Sequence, residues 1–327
     1  MDAGAHATRS PERENVAVKR ILLTFGGKAY DDQVARTWKG SKAASQVHLG
    51  YDEVRVFDDA WLMTTPFYSL NRWIFERQPQ HGFGFCSWKP YIILAAMQNY
   101  CETGDVVMYL DGDTFPIADI GCLFDTAARE GVMLFEEQGC INREWTKGDC
   151  FAAMGCAGDA GNSNITEAQT EETLMRFRKA PQACGRFSLW RAGDYRNIQL
   201  LMEWQAYALN PMTTFHEKSF FLPQFDSSTL FRNSCEQSVL GNLAVKYGIP
   251  THRTPDQNGW PQARVGKAPV TVETQFSRPG GTEWHKPDCD CGKCEPYKPE
   301  DSYPQLFLQQ WRSGNILDRT GSRFRNV

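Results

Sequence analysis

The chain has 327 residues, 41% of them hydrophobic, which is enough for one large α/β domain with a substantial buried core. Its formal net charge of −4 provides no broad cationic surface for nucleic-acid backbones or anionic membranes. The charge therefore disfavours nucleic acid as a general partner, while leaving open a local basic groove.

Strands and helices alternate along most of the chain. Apolar runs predict strands at 18–25, 53–57, 106–110, 132–135 and 187–190. Helix-compatible periodicity and end signals predict helices at 31–44, 65–77, 88–100, 119–129, 194–207 and 235–246. This alternation predicts an α/β fold with a mostly parallel central sheet flanked by helices, whose ligands bind at the carboxyl ends of the strands.

Composition divides the chain into three parts. Residues 1–16 are small, polar and charged, which predicts a flexible tail. Residues 17–271 carry the alternating pattern and are predicted to form one domain, and Pro, Gly, Cys and charge at 272–327 predict an irregular extension. A segment rich in Gly, Asn and Ser at 155–166 predicts a loop or lid.

The same features suggest where the protein resides. The first sixteen residues lack the apolar core of a secretion signal, and no apolar run reaches the length of about 20 residues that spans a bilayer. Eleven widely spaced cysteines favour a reduced environment over a disulfide scaffold. We therefore expect a soluble, cytoplasmic protein, with a glycosylation sequon at 164–166 keeping a lumenal origin open.

An acidic turn follows the most apolar predicted strand. Asp111 and Asp113 are separated by Gly112, which lets a ligand approach the backbone closely. Hard carboxylate oxygens suit Mg²⁺ or Mn²⁺, which usually complete their coordination with water and substrate phosphates. An open two-carboxylate site therefore points to a diphosphate ligand, although an ordinary solvated turn has the same composition.

A phosphatase or phosphotransferase site, in which the first Asp of a strand-end Asp-x-Asp accepts a phosphoryl group, is an alternative. That pattern expects Thr or Val at the fourth position after the first Asp, whereas Phe115 stands there and Thr114 comes one position early. The misplaced hydroxyl weakens this alternative.

Two segments together resemble a known family. Residues 82–93 read Gly-Phe-Gly-Phe-Cys-Ser-Trp-Lys-Pro-Tyr-Ile-Ile, and residues 109–113 read Tyr-Leu-Asp-Gly-Asp. The pair resembles the GT-A-fold glycosyltransferases with a short Asp-x-Asp motif, particularly bacterial and viral members. Further matches stand at 187–190, 203–204, 236–240 and 251–259, so the resemblance covers about residues 19–260. One departure is Glu236, because the family usually has Asp-Gln where this chain has Glu-Gln.

The resemblance implies a metal-dependent hexosyl- or pentosyltransferase. Its substrates would be a nucleotide-sugar donor, with a UDP-sugar the first expectation, and a saccharide or other hydroxyl acceptor. By resemblance, Asp111 and Asp113 contact the metal and the donor diphosphate. The residues after the first strand would line the nucleotide pocket: Thr24, Phe25 and Gly26. A noncatalytic sugar-binding protein of the same fold is the third hypothesis.

Four other residues have candidate roles, each with a structural alternative. Glu236 at a helix start is a candidate general base for the acceptor hydroxyl or a helix cap. Asp194 could orient sugar hydroxyls or act as an N-cap. His252 could be an imidazole metal ligand or a surface histidine. Lys89 could offset phosphate charge or lie exposed in a first helical turn.

A late cluster of His and Cys could hold a structural zinc ion. Three thiolates and one imidazole are a known zinc ligand set, and unligated surface thiols are the alternative. The cluster consists of His285, Cys289, Cys291 and Cys294.

Overall fold

The computed structural model describes residues 18–26, 49–77, 83–116, 118–156, 167–215, 217–256 and 306–309. The predicted tail at 1–16 and the predicted helix at 31–44 lie outside these ranges, as do most of the segment at 155–166 and most of the extension after 272.

The strands, in chain order, are β1 (Arg20–Phe25), β2 (Glu53–Phe57), β3 (Val106–Asp111), β4 (Thr114–Pro116), β5 (Val132–Ile141), β6 (Pro181–Ala183), β7 (Phe187–Arg191), β8 (Thr251–Arg253) and β9 (Phe307–Gln309). The helices are α1 (Asp59–Met63), α2 (Pro66–Leu70), α3 (Arg72–Arg77), α4 (Trp88–Tyr100), α5 (Gly121–Glu130), α6 (Asn142–Trp145), α7 (Gly148–Ala153), α8 (Glu167–Lys179), α9 (Tyr195–Ala208), α10 (Pro211–Thr214) and α11 (Glu236–Tyr247). Within the described ranges, each of the five predicted strands is confirmed to within a few residues, apart from β5, which is longer.

Seven of the described strands form the central sheet, in the order β2, β1, β3, β7, β5, β6, with β8 also paired to β5. The sheet is mixed. β1 pairs in parallel with β2 and β3, and β8 pairs in parallel with β5, whereas β7 is antiparallel to both β3 and β5. The α/β class with flanking helices is therefore confirmed, but the expectation of a mostly parallel sheet is wrong at β7 and β6.

The sheet has a buried core on each face. Residues 106–110 of β3 are buried throughout, as expected for a strand covered on both faces. Val107 and Tyr109 point into the core that contains α4, α9 and α11, whereas Met108 and Leu110 point into the core beneath α5. This alternation decides which face each strand-end residue can reach.

One predicted helix is divided in two. The pattern at 65–77 predicts a single helix, but the structure has α2 and α3, separated at Asn71. The Asn71 side chain donates to Phe67 O (2.8 Å), and its backbone leaves the helical conformation. Short polar side chains compete in this way with the helical hydrogen-bond ladder.

The last described strand returns to the domain. β9 pairs antiparallel with β4, which follows directly after the acidic turn. Phe307 is fully buried and its ring lies 5.4 Å from that of Phe187. The predicted boundary near residue 272 therefore does not separate residues 306–309 from the domain.

Among the described helices, none combines the length and apolar character needed to cross a bilayer. The eight described cysteines are free thiols.

Candidate active site

A buried lysine joins two carboxylates at the carboxyl end of β3. Lys89 Nζ lies 3.1 Å from Asp111 Oδ1 and 3.0 Å from Glu236 Oε1, and it donates to Gly185 O over 2.9 Å. Lys89 is 4% exposed and Glu236 is 5% exposed, while the Asp111 side chain is partly open to solvent. The structure therefore brings together three of the residues that the sequence indicated separately.

The turn before α4 aims Lys89 inward. Gly84 has a φ of +56°, and a Cβ at this position would lie 2.3 Å from the ring of Phe75. Trp88 Nε1 donates to Phe83 O (2.9 Å), and the Trp88 ring stacks on Phe25. Trp88 is thus part of the core, and the neighbouring Lys89 faces the end of β3 instead of solvent.

The chain before β7 closes one side of the cluster. A Cβ on Gly185 would lie 3.2 Å from Glu236 Oε1 and from Gln237 Oε1, so the backbone approaches α11 closely here. Asp111 N donates to Arg186 O (2.7 Å), and Arg186 forms a buried ion pair with Asp256. The first bond fixes the main chain where β3 enters the acidic turn, and the ion pair anchors the Arg186 side chain.

Glu236 is the first residue of α11. The preceding Cys235 has a φ of +53°, a conformation that non-glycine residues adopt at a cost of about 1–3 kcal/mol. Trp204 Nε1 donates to Glu236 O (2.8 Å), which ties α9 to the start of α11. Glu236 thus does not sit as an exposed cap: its carboxylate is directed at Lys89.

Burial and charge shift the pKa values of the cluster. Burial lowers the pKa of Lys89, but attraction to Asp111, Tyr109 and Glu236 outweighs it and holds the pKa well above the ordinary 10.5. Burial raises the pKa of Glu236 above its ordinary 4.5, and Lys89 opposes the rise. Lys89 is therefore an ammonium ion at neutral pH, and Glu236 is a more basic carboxylate than one in water.

Asp111 and Asp113 have the donor chemistry of a divalent-cation site. Asp111 Oδ1 accepts hydrogen bonds from Tyr109 and contacts Lys89, and Asp113 Oδ1 accepts from Thr114. No group of three or more His, Cys, Asp or Glu residues within the described ranges could hold a metal ion. Magnesium sites commonly use one or two carboxylates and take their other ligands from water and phosphate, so the pair fits Mg²⁺ or Mn²⁺.

The end of β1 lies beside the acidic turn. Phe25 pairs with Asp111 in the parallel register, and Gly26 N donates to Phe57 O (2.7 Å). Thr24 is buried, and strand alternation turns its side chain to the opposite face from Phe25. Phe25 and Gly26 therefore lie beside the acidic turn, and their role in a nucleotide pocket stays a prediction, whereas the Thr24 side chain faces away from Asp111.

His252 lies apart from this cluster. It pairs with Phe135 on β5, and its ring lies against Phe135 on the face covered by α5, with Glu130 Oε2 at 3.6 Å. β8 is three strand spacings from β3, which is about 14 Å. The register also places His252 level with Leu110, on the opposite face from the Asp111 side chain. This position does not suit a shared metal ion.

Asp194 lies at the opposite end of the strands from Asp111, near the amino end of β3. It follows β7, whose last residue Arg191 pairs with Val106 at the start of β3. Asp194 accepts from Arg196 N (2.9 Å) as the N-cap of α9 and pairs with Arg191 Nη2 (2.8 Å). The N-cap alternative is thus observed, and the location does not suit the predicted catalytic role.

Two site residues escaped sequence reasoning. The Tyr109 hydroxyl donates to Asp111, but a tyrosine within an apolar strand is expected to be an ordinary core residue. The Gly185 carbonyl accepts from Lys89, and any residue could supply a carbonyl. The signal for Gly185 was a lone glycine before a strand, which is too common to be specific. The proposed zinc residues, His285, Cys289, Cys291 and Cys294, all lie outside the described residues.

Comparisons with known proteins give structural likeness alone. No protein-family model matches the chain, and no curated protein matches it. The fold is similar to that of the galactosyltransferase LgtC in complex with donor and acceptor sugar analogues, at 12% identity and a TM-score of 0.36, over 68% of this chain and 70% of that chain.

The chain is also similar to mouse xyloside xylosyltransferase 1, at 12% identity and a TM-score of 0.37, over 72% of this chain and 85% of that chain. A third likeness is to the bifunctional glycosyltransferase WbbM, at 10% identity and a TM-score of 0.37, over 71% of this chain and 38% of that chain. Similarity of this degree says nothing about the substrates of this chain.

Proposed function

We propose that the chain is a metal-dependent glycosyltransferase that moves a sugar from a nucleotide-sugar donor, with a UDP-sugar the first expectation, to a hydroxyl acceptor. One observation carries the proposal: Lys89 holds Asp111 and Glu236 together at the carboxyl end of a buried strand. Ligands of α/β sheets bind at this edge.

Charge balance supports a bound cation. The cluster of Asp111, Asp113, Glu236 and Lys89 contains three carboxylates and one ammonium, so it carries excess negative charge when all are ionised. Asp111 and Asp113 would hold the ion with their carboxylate oxygens. When bound, Mg²⁺ or Mn²⁺ supplies Lewis-acid stabilisation of negative charge on a departing nucleoside diphosphate.

The protein residues divide the remaining work. Lys89 fixes Asp111 in position through their ion pair, and the carbonyl of Gly185 helps to hold the ammonium. Glu236 is the candidate base: it accepts the proton of the acceptor hydroxyl while the new bond to the anomeric carbon forms and the bond to the diphosphate oxygen breaks. A carboxylate whose pKa is raised by burial is better suited to this task at neutral pH.

The first test is donor binding, measured by thermal unfolding of the full chain with UDP-sugars and with p-nitrophenyl phosphate, in the presence and absence of Mn²⁺. A ligand at about 100 times its Kd stabilises the folded state by about 2.7 kcal/mol. We expect a rise in Tm with a UDP-sugar that depends on Mn²⁺. Hydrolysis of the phosphate ester without any response to nucleotide sugars would instead favour a phosphotransferase.

The second test separates binding from chemistry. Asp111→Asn and Asp113→Asn should each abolish the Mn²⁺-dependent response to UDP and lower the turnover of UDP-sugar by about 100-fold or more, because each removes a charged ligand. Glu236→Gln should retain the UDP response and lose turnover, because it removes the base. Glu172→Gln, on the exposed surface of α8, is the matched control. Full turnover of Asp111→Asn in chelator would refute the proposal.

A further inference from the structure

Lys147 is a buried lysine that the proposed transfer reaction does not use. It immediately precedes α7, and it is 4% exposed. Its backbone N–H donates to Asn233 Oδ1 (3.3 Å). Among the described residues, no carboxylate lies within ion-pair distance of Lys147 Nζ and no oxygen accepts a hydrogen bond from it.

The nearest acidic residues are already engaged or exposed. Asp149 Oδ2 accepts from the backbone N–H groups of Phe220 and Phe221, and Asp149 Oδ1 accepts from that of Leu222. These bonds direct the Asp149 carboxylate at the main chain. Glu217 is exposed, so water screens its attraction to Lys147. The charge of Lys147 therefore has no close counterpart in this part of the chain.

A buried ammonium without a counter-ion is energetically costly. Burial lowers the pKa of Lys147 from its ordinary 10.5, and attraction to Cys150, Asp149 and Glu217 compensates only in part. An anion that entered this position would recover the lost electrostatic energy and raise the pKa again. The Lys147 side chain thus has the properties expected of a binding group for a negatively charged ligand.

The position of Lys147 indicates which ligand this is. Trp145 O accepts hydrogen bonds from Ser234 N (2.9 Å) and Ser238 Oγ (2.6 Å), and Lys147 N bonds to Asn233. The segment around Lys147 therefore packs against the chain that leads into α11 and its first residue, Glu236. Attraction to Cys235, which directly precedes Glu236, also contributes to the pKa of Lys147. The side chain therefore lies near the start of α11, where the proposed base would meet the acceptor hydroxyl.

We propose that Lys147 forms an anion subsite beside Glu236 that receives a carboxylate or phosphate group carried by the acceptor. This inference rests on the proposed function, because the anionic ligand is an acceptor only if the chain transfers a sugar to it. Asp111 pairs with Lys89 and not with Lys147, so the proposal places the donor diphosphate at Asp111 and Asp113 and the anionic group of the acceptor at Lys147.

The test is a thermal-unfolding titration of the full chain with inorganic phosphate and, separately, with acetate. The wild-type protein should show a saturable rise in Tm with one or both, which also separates a phosphate-bearing from a carboxylate-bearing acceptor. Lys147→Met should weaken the apparent affinity by about tenfold or more, as expected for the loss of a hydrogen bond to a charged group. Lys218→Met, an exposed lysine on the neighbouring loop, should behave as wild type.

A second variant guards against misfolding. Lys147→Gln retains a polar side chain, and it should also lose the saturable response. Without ligand, Lys147→Met should have a Tm equal to or above that of wild type, because an unpaired buried amine is removed. If both variants respond to phosphate and acetate as wild type does, or if wild type shows no saturable response, the subsite does not exist.

Competition with UDP locates the subsite. With UDP and Mn²⁺ at saturation, the response to phosphate or acetate should persist, because the two ligands occupy different places. If UDP abolishes it, Lys147 belongs to the donor site and the inference is wrong. These measurements need no turnover, so a failure of sugar transfer would overturn the proposed function while anion binding by Lys147 could still be measured.

Discussion

At the scale of single residues, Lys89 offsets the repulsion between the carboxylates of Asp111 and Glu236. Its ammonium lies within about hydrogen-bond distance of Asp111 and Glu236, and all three belong to different elements. Breaking a buried ion pair by removing one partner leaves an uncompensated charge, which is far more costly than removing an exposed pair. The site is therefore also a determinant of stability.

Lys89→Met should lower the free energy of unfolding by about 3–5 kcal/mol, because Asp111 and Glu236 lose their shared counter-ion. Urea-induced unfolding at neutral pH measures the loss. Lys246→Met removes a lysine that pairs with Glu203 at the surface and should cost less than about 1 kcal/mol.

The double variant Lys89→Met, Glu236→Gln provides the internal check. It should be more stable than Lys89→Met alone, because one of the two uncompensated carboxylates is removed with the lysine. Equal stability of Lys89→Met and wild type would show that the ammonium does not hold the cluster together.

At the scale of elements, the start of α9 illustrates how a cap and an ion pair combine. Asp194 accepts from Arg196 N and pairs with Arg191 at the end of β7. Asn197 Nδ2 donates to Gly131 O (2.6 Å) and thereby joins the same helix to the start of β5. These bonds anchor α9, which in turn holds the start of α11 through Trp204.

Asp194→Asn should reveal the ion pair as a pH-dependent loss of stability. Although partial burial raises the pKa of Asp194, the bonds from Arg191 and Arg196 outweigh it and hold the pKa below 3.8. A lowered folded-state pKa means that the stabilisation is present above about pH 3.8 and disappears as the pH falls through the folded value. Asn retains the cap, so we expect a loss of about 0.5–1 kcal/mol at pH 7 that vanishes in strong acid.

Urea-induced unfolding of both proteins between about pH 2 and pH 7 measures this difference. Asp194→Ala also removes the cap and should lose about 1 kcal/mol more at every pH. A pH-independent difference between wild type and Asp194→Asn would exclude the ion pair with Arg191. Turnover of Asp194→Asn should stay near that of wild type, because Asp194 lies near the amino end of β3 and Asp111 lies at its carboxyl end.

At the scale of the whole molecule, two cores support the two faces of the site. One core contains the helices that carry Lys89 and Glu236, and the other lies beneath α5 and includes Phe307. Phe307 packs on Phe187, which follows closely after Gly185, and β9 pairs with β4 directly after the acidic turn. A segment late in the chain therefore supports the loop that would hold the metal.

Phe307→Ala should lower the free energy of unfolding by about 3–5 kcal/mol, the usual cost of truncating a buried phenylalanine. It should also weaken the Mn²⁺-dependent response to UDP, because β9 no longer holds β4. Phe220→Ala, at a position that is 83% exposed, is the matched control and should change stability by less than about 0.5 kcal/mol. Equal effects of the two substitutions would mean that β9 does not contribute to the core.

Local features of the fold were predictable from the sequence. The apolar run at 106–110 predicts a strand buried on both faces, and Gly248 ends α11 in a left-handed conformation as its position after the last apolar residue indicates. The N-cap alternative for Asp194 and the start of a helix at residue 88 are both seen in the structure. These features depend on side chains within a few residues of each other, which is why periodicity and end signals report them.

The tertiary structure alone decided which candidates meet. Because β7 runs antiparallel to β3, Gly185 before β7 lies at the carboxyl end of β3, and Asp194 after β7 lies at the amino end of β3. A one-residue difference in register turns His252 to the opposite face from Asp111, whereas Glu236 arrives at Lys89 although it lies far along the chain. Strand order, direction and register arise from long-range pairing, so they leave no periodic trace in the sequence, whereas the residue types of the site are written in it directly.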